Sequence, residues 1–389
     1  MSALRFYDLP SSLLRTAAIF GCIFSTVFAT DAATHRVYFG TYTGKNSQGI
    51  YCSDFDALTG QLQPAVLAAE SAQPSFLAVH PNGRYLYAVN ELNDYLGKSA
   101  GAVSAFKIDR KSTQLTPINQ QSSGGSGPCH VVVDPAGTTV LIANYAGGSV
   151  ASYRIQPDGG LGPAVSFVQH SGKGANPQRQ EGPHAHSIYV DAAGRYAIVA
   201  DLGLDRMLVY RFNPADSSLT PHNAPLAAWA SGAGPRHFAF HPNGRWGYAI
   251  NEMASTVTAL AYDKAKGQLT SLSSISTLPP GLTLDTSTAE IFAHPSGKFI
   301  YGSNRGHDSI AVFQVDPKSG SLRVVQHQPT GGKVPRGFGI DPTGRWLLAA
   351  NQSSGSVVVF EIDRKNGTLR PTGESIAVGS PVSVHFLRL

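Results

Sequence analysis

One short polar turn recurs seven times along this chain. It follows the general form Asp-x-x-x-Gly-x-Leu, and its leucine falls at Leu62, Leu115, Leu161, Leu219, Leu269, Leu322 and Leu369, at intervals of 53, 46, 58, 50, 53 and 47 residues. A second marker, Asp/His-Pro-x-Gly-Arg in its best copies, keeps the same rhythm at His80–Arg84, Asp134–Thr138, Asp191–Arg195, His241–Arg245, His294–Lys298 and Asp341–Arg345. A period of about 50 residues, built from short strands and Gly/Pro turns, predicts an all-β fold, a seven-bladed β-propeller with four-stranded blades. One repeat cannot bury its own faces, so stability must come from stacking blades around an axis.

The segment 234–273 shows how one blade is written. Gly-Pro-Arg236-His237-Phe-Ala-Phe240 alternates as a first strand, and His241–Arg245 turns it. Trp246-Gly-Tyr-Ala-Ile-Asn251 is an unbroken apolar second strand, which means burial on both faces. The runs 256–262 and 268–272 supply the third and fourth. At the C-terminus Ser380-Pro-Val-Ser-Val-His-Phe386 matches a first strand, whereas His35-Arg-Val-Tyr-Phe-Gly-Thr41 begins at the second-strand position. The last blade is therefore expected to be closed by both terminal strands, which pairs two edges that would otherwise be open.

In this geometry the start of strand one and the end of strand two meet at one mouth of the axis. Five residues before each Asp/His turn the sequence reads Ser75, Cys129, His186, Arg236, Ala289 and Arg336, and four before it Phe76, His130, Ser187, His237, Glu290 and Gly337. After the Asn or Asp that ends strand two come Glu91, Tyr145, Leu202, Glu252, Arg305 and Gln352. A structural role would demand one residue type per blade. Variation in ionisable residues around a shared funnel instead marks a site grafted onto a symmetric scaffold. The recurring Asn90, Asn144, Asn251, Asn304 and Asn351 are expected to satisfy backbone groups, with Asp201 as the charged exception. His80, His241 and His294 are expected to be turn residues on the far face.

Charged residues make up only 14% and the net charge is +5, with the positives scattered among turns rather than clustered. That pattern excludes a nucleic-acid footprint. Residues Met1–Ala29 read as a secretory signal peptide. Arg5 and Arg15 precede the apolar run 16–29, which is too short to span a membrane comfortably and ends in small residues. The mature domain would be residues 30–389, periplasmic or secreted, with no membrane attachment after cleavage. It would then hold only Cys52 and Cys129, in strands of different blades, and these are read as isolated buried thiols.

The segments Gln178-Arg-Gln-Glu-Gly-Pro-His184-Ala-His186, Asp201-Leu-Gly-Leu-Asp205, Gly234-Pro-Arg236-His237, Asn251-Glu252-Met253, Ser287-Thr-Ala-Glu290 and Ser303-Asn-Arg305-Gly-His307-Asp308 occur in order, one per blade. Together they make residues 35–389 resemble the seven-bladed propeller lactonases, a family that includes bacterial 6-phosphogluconolactonases and fungal muconate cycloisomerase-like enzymes. The resemblance implies catalytic roles for His186, Arg236, Glu252 and Arg305. His130, His184, Asp201, His237, Glu290, His307 and Arg336 are candidate substrate-binding residues. No serine nucleophile elbow and no convincing metal spacing are present, so the expected enzyme is a monomer that uses neither cofactor nor metal on a small lactone. Glu252 beside Arg236 would stay ionised and orient or deprotonate water, His186 would take the complementary acid/base role, and the arginines would hold a carboxylate, phosphate or oxyanion. Two alternatives share the scaffold. One is a carboxymuconate-type cycloisomerase running the ring-closing direction, and the other is a non-catalytic binding propeller like those of bacterial surface layers.

Overall fold

The computed structural model describes residues 34–282 and 284–389, and among them the regular structure is β-strand alone. The segment Met1–Ala29, expected to be a signal peptide, lies outside the described residues. Six sheets run from first to fourth strand in chain order, as in Pro235–Phe240, Trp246–Asn251, Thr256–Asp263 and Gln268–Ser276. The seventh is composite. Pro381–Arg388 pairs antiparallel with Thr34–Thr41, with His385 opposite Tyr38, and Gly49–Asp56 follows. Its outer strand is split into Gln61–Leu62 and Val66–Glu70. First strands pack side by side around the axis, and Pro381–Arg388 contacts both Leu77–Val79 and Pro335–Ile340, so the ring closes as the termini predicted.

Stability sits between the blades. Seven apolar clusters each join two neighbouring sheets: Phe39 and Phe55 of the composite blade meet Trp346 and Leu348, and Tyr38 and Ile50 meet Leu86 and Phe106. Second strands such as Tyr196–Asp201 and Trp346–Asn351 are buried along their whole length, which is why their sequences do not alternate.

The repeated markers prove to be joints. In the glycine turn, Gly159 and Gly267 adopt positive φ, with Tyr85 and Tyr196 of the preceding blades lying where a Cβ would project. The copy that has Ser217 in place of glycine faces Thr139 instead of an aromatic ring, and their hydroxyls hydrogen-bond at 2.7 Å. On the far face, Nε2–H of His80, His241 and His294 donates to the carbonyls of Gly137, Gly297 and Gly344 in the next blade, at 2.9, 2.7 and 2.8 Å. The strand-end asparagines likewise tie loops down: Asn144 and Asn304 donate to the carbonyls of Ser123 and Thr277.

Candidate active site

A carboxylate surrounded by guanidinium groups occupies the mouth. Glu252, at the exit of the second strand Trp246–Asn251, is only 6% exposed. Its Oε2 accepts from Arg236 Nε at 2.9 Å and lies 3.0 Å from Arg305 Nη2, while Oε1 accepts from Arg179 Nη2 at 2.7 Å. Burial alone would raise its pKa, yet Arg305, Arg236 and Arg179 overcome it and hold the carboxyl down at about 2. Glu252 is thus ionised but a very weak base.

The arginines are fixed from behind. Arg236 donates to the carbonyl of Ala289 and Arg305 to that of Thr288, both at 2.6 Å. Burial, together with the nearby Arg236 and Arg336, pulls Arg305 down to about 10, with Glu252 opposing. Arg336 sits 5.4 Å over the ring of Tyr42, whose hydroxyl donates to Glu91 at 3.0 Å. Arg236, Arg336, His186, His237, Cys129, Tyr42 and Glu91 line one small cavity at this mouth.

His186 is buried within this array, its Nδ1 3.7 Å from Cys129 Sγ and its ring beside those of Tyr145 and His237. Burial first, then Arg236, His237 and Arg336, push its pKa well below the ordinary imidazole value, so the ring is neutral at pH 7. Cys129 is pushed up, chiefly by burial, and remains a thiol. Both described cysteines are free and buried.

Other candidates lie elsewhere. His237 bridges the mouth to the interior: it lines the cavity while its Nδ1 meets Glu290 Oε1 at 2.7 Å. His130 and Glu290 lie further down the axis, beneath the mouth. His184 is at the rim, stacked on Tyr145, with Nδ1 on the Tyr145 carbonyl and Nε2 3.2 Å from Glu181. It shares the Tyr145 ring with His186 but not its polar partners, and among the described residues no group of His, Cys, Asp or Glu is placed to hold a metal ion.

Two expectations need correction. Asp201 is fully buried and spent on structure, accepting from the backbone N–H of His184 and Leu204 and pairing with His170 at 2.5 Å. It replaces asparagine because a histidine, rather than a carbonyl, faces it. His307 turns away from the funnel toward the outer strand of its own blade, bonded to Ser309 and beside His327.

Two mouth residues, Arg179 and Tyr42, escaped the sequence reading, and a third, Glu91, was not singled out. Arg179 comes from the long loop 170–184, which lies outside the repeat register. Tyr42 occupies the copy of the Glu252 position in the composite blade, where Thr41 pairs with Pro381 as Asn251 pairs with Pro235. No recurring asparagine flags it there. Glu91 stood in the variable series, and its partner Tyr42 was the missing cue.

Comparison with known proteins agrees with this architecture. The family model "Lactonase, 7-bladed beta-propeller" matches residues 36–386. The 6-phosphogluconolactonase of Bacillus subtilis is 38% identical over 304 residues, covering 78% of this chain and 84% of the Bacillus protein. That of Formosa agariphila is 34% identical over 309 residues, covering 78% and 86%. Among solved structures, the periplasmic gluconolactonase of Pseudomonas aeruginosa superposes with a TM-score of 0.84 at 32% identity, covering 91% of this chain and 99% of that one.

Proposed function

The chain belongs to the seven-bladed β-propeller lactonase family and is a lactone hydrolase, and from that premise we propose that it opens a small anionic or sugar-derived lactone at the funnel mouth, outside the cytosol. The observation that carries this reading is the arginine-clamped Glu252, one of whose partners, Arg236, also lines the cavity that holds the neutral His186. Arg179, Arg236, Arg305 and Arg336 bring four guanidinium groups against the carboxylates of Glu252 and Glu91. The excess positive charge suits a phosphate or carboxylate substituent, or the oxyanion of the tetrahedral intermediate.

In the proposed mechanism, Glu252 positions the arginines and is not the base, because both its oxygens are engaged by guanidinium groups. His186 takes a proton from water as the water oxygen bonds to the lactone carbonyl carbon. Arg236 holds the oxygen that becomes negative, and Arg305 holds an anionic substituent of the substrate. The carbonyl then re-forms, the bond to the ring oxygen breaks, and the imidazolium returns its proton to that oxygen, leaving a hydroxy acid. Export rests on Arg5, Arg15 and the apolar run 16–29, with a periplasmic relative in support. N-terminal sequencing of the protein from a periplasmic extract should begin near Thr30, and recovering residues 1–29 on cytosolic protein would overturn it.

The substrate test compares gluconolactone with 6-phosphogluconolactone on purified enzyme. Arg305→Ala should weaken use of the phosphorylated lactone more than the neutral one. Equal losses would remove the anion-binding assignment. Ring closure of a muconate substrate, without hydrolysis of either lactone, would reverse the reaction direction.

A further inference from the structure

The axis holds a second chamber. It is built from the later residues of the first strands, one to four before the far-face turns, so it lies at the opposite end of the axis from Glu252. Its volume is about 420 Å³, within the usual range for small-molecule sites. The walls are apolar: Val79, Val131, Phe240, Phe292 and Ala293. One end is not. His130, Glu290 and His385 are gathered there, with Phe76 packed between the two imidazoles at 4.3 and 5.1 Å.

These polar groups are incompletely used. His130 is 1% exposed, and its Nδ1 accepts from the backbone N–H of Ile188 at 3.4 Å, which puts the ring proton on Nε2. That Nε2–H has no hydrogen-bond partner in the protein, and neither has Nε2 of His385. A buried donor left unpaired costs free energy that a bound acceptor would recover. Glu290 Oε1 accepts from the backbone N–H of Ile291 and meets His237. Burial raises Glu290 to about 7, so it has a proton to share with another carboxyl near neutral pH. The positive charge of Arg236 also reaches this end, lowering His130 and opposing the rise in Glu290.

We propose that this chamber is a second small-molecule site, for a monocarboxylic acid with a compact apolar body, bound with its carboxyl group against His130, His385 and Glu290. Two acceptor oxygens match two unpaired imidazole nitrogens, and the apolar body replaces no hydrogen bonds along the valine and phenylalanine walls. A polyhydroxy acid does not fit this chemistry, because its hydroxyls would be stranded there. The guest is therefore chemically different from a sugar lactone or its product, and the proposal stands or falls separately from the lactonase mechanism.

Benzoate is the probe, titrated into the full chain by calorimetry, with benzyl alcohol and gluconate as controls. Saturable one-to-one binding of benzoate is expected, with no competition against a lactone substrate. Arg305→Ala should leave binding intact, and His130→Phe, which keeps a ring but removes the donor, should weaken it about tenfold or more. Ala293→Trp fills the chamber from a partly exposed position and should abolish binding, which covers the case in which His130→Phe does not fold. Absence of saturable binding, equal binding of benzyl alcohol, competition with the lactone, or loss in Arg305→Ala would each overturn the proposal.

Discussion

Two groups of histidines divide the molecule. His80, His241 and His294 on the far face are superimposable in role: each donates from Nε2 to a glycine carbonyl of the next blade and accepts a backbone N–H at Nδ1. His130, His186 and His237 on the axis lie ring against ring but differ in their polar partners. One faces a backbone amide, one a thiol and one a buried carboxyl. The same side chain is a structural rivet where it repeats and a chemical group where it does not. In a propeller every blade needs the same joints, whereas the funnel is lined once and shared by all blades.

That division predicts where damage falls. The largest effect should come from deleting Ser380–Leu389, which removes the inner strand of the composite blade and opens the ring. Loss of a cooperative thermal transition is expected, and a truncated protein that melts like the full chain would break the closure argument. Next is Glu252→Gln, which keeps the shape but releases the clamp: kcat/KM should fall by about a hundredfold or more. Glu252 also contributes stability above its unfolded pKa near 4.5 that is lost as pH falls toward 2. The acid limb of the melting temperature should therefore be shallower in the glutamine variant, while a variant with full turnover would make the cluster structural.

Smaller effects sharpen the axis side. Because burial and the nearby Arg236 lower the pKa of His186, its neutral form persists into acid, and the acid limb of kcat/KM should lie well below the ordinary imidazole value of 6.5. A limb centred at or above 7 would exclude His186 as the base. Glu290 has the opposite sign: raised to about 7 from 4.5, it binds a proton in the folded state that the unfolded chain releases. Stability should thus decline as pH rises from about 4.5 to 7, and Glu290→Gln should flatten that decline in a series of thermal melts. The smallest change is expected from the repeated set. His241→Ala loses one inter-blade hydrogen bond, roughly 1 kcal/mol of unfolding free energy, with turnover unchanged. A loss of activity there would blur the distinction between the two groups.

Much of this was legible in the chain. Repeat spacing announced the blades, unbroken apolar runs marked the second strands, and the mismatched ends foretold the composite blade. Arg236, Glu252 and Arg305 were recognisable as a group because they fall in the two variable rim series and within the segments that resemble the propeller lactonases. Asp201 and His307 depart from the repeat for local reasons. Asp201 answers His170, which lies 31 residues away in sequence, and His307 answers its own outer strand. A departure from the repeat says only that something differs, not which way the side chain turns.

The sequence by itself determined the architecture, because period, turn chemistry and burial pattern are local properties copied seven times. Only the tertiary structure decided the electrostatics. Arg179 reaches Glu252 across 73 residues of chain, and Tyr42 meets Glu91 across 49. Such separations in sequence close only when neighbouring blades pack against one another. There, three guanidiniums hold one buried carboxylate ionised, since mutual charge at short range outweighs the cost of burial.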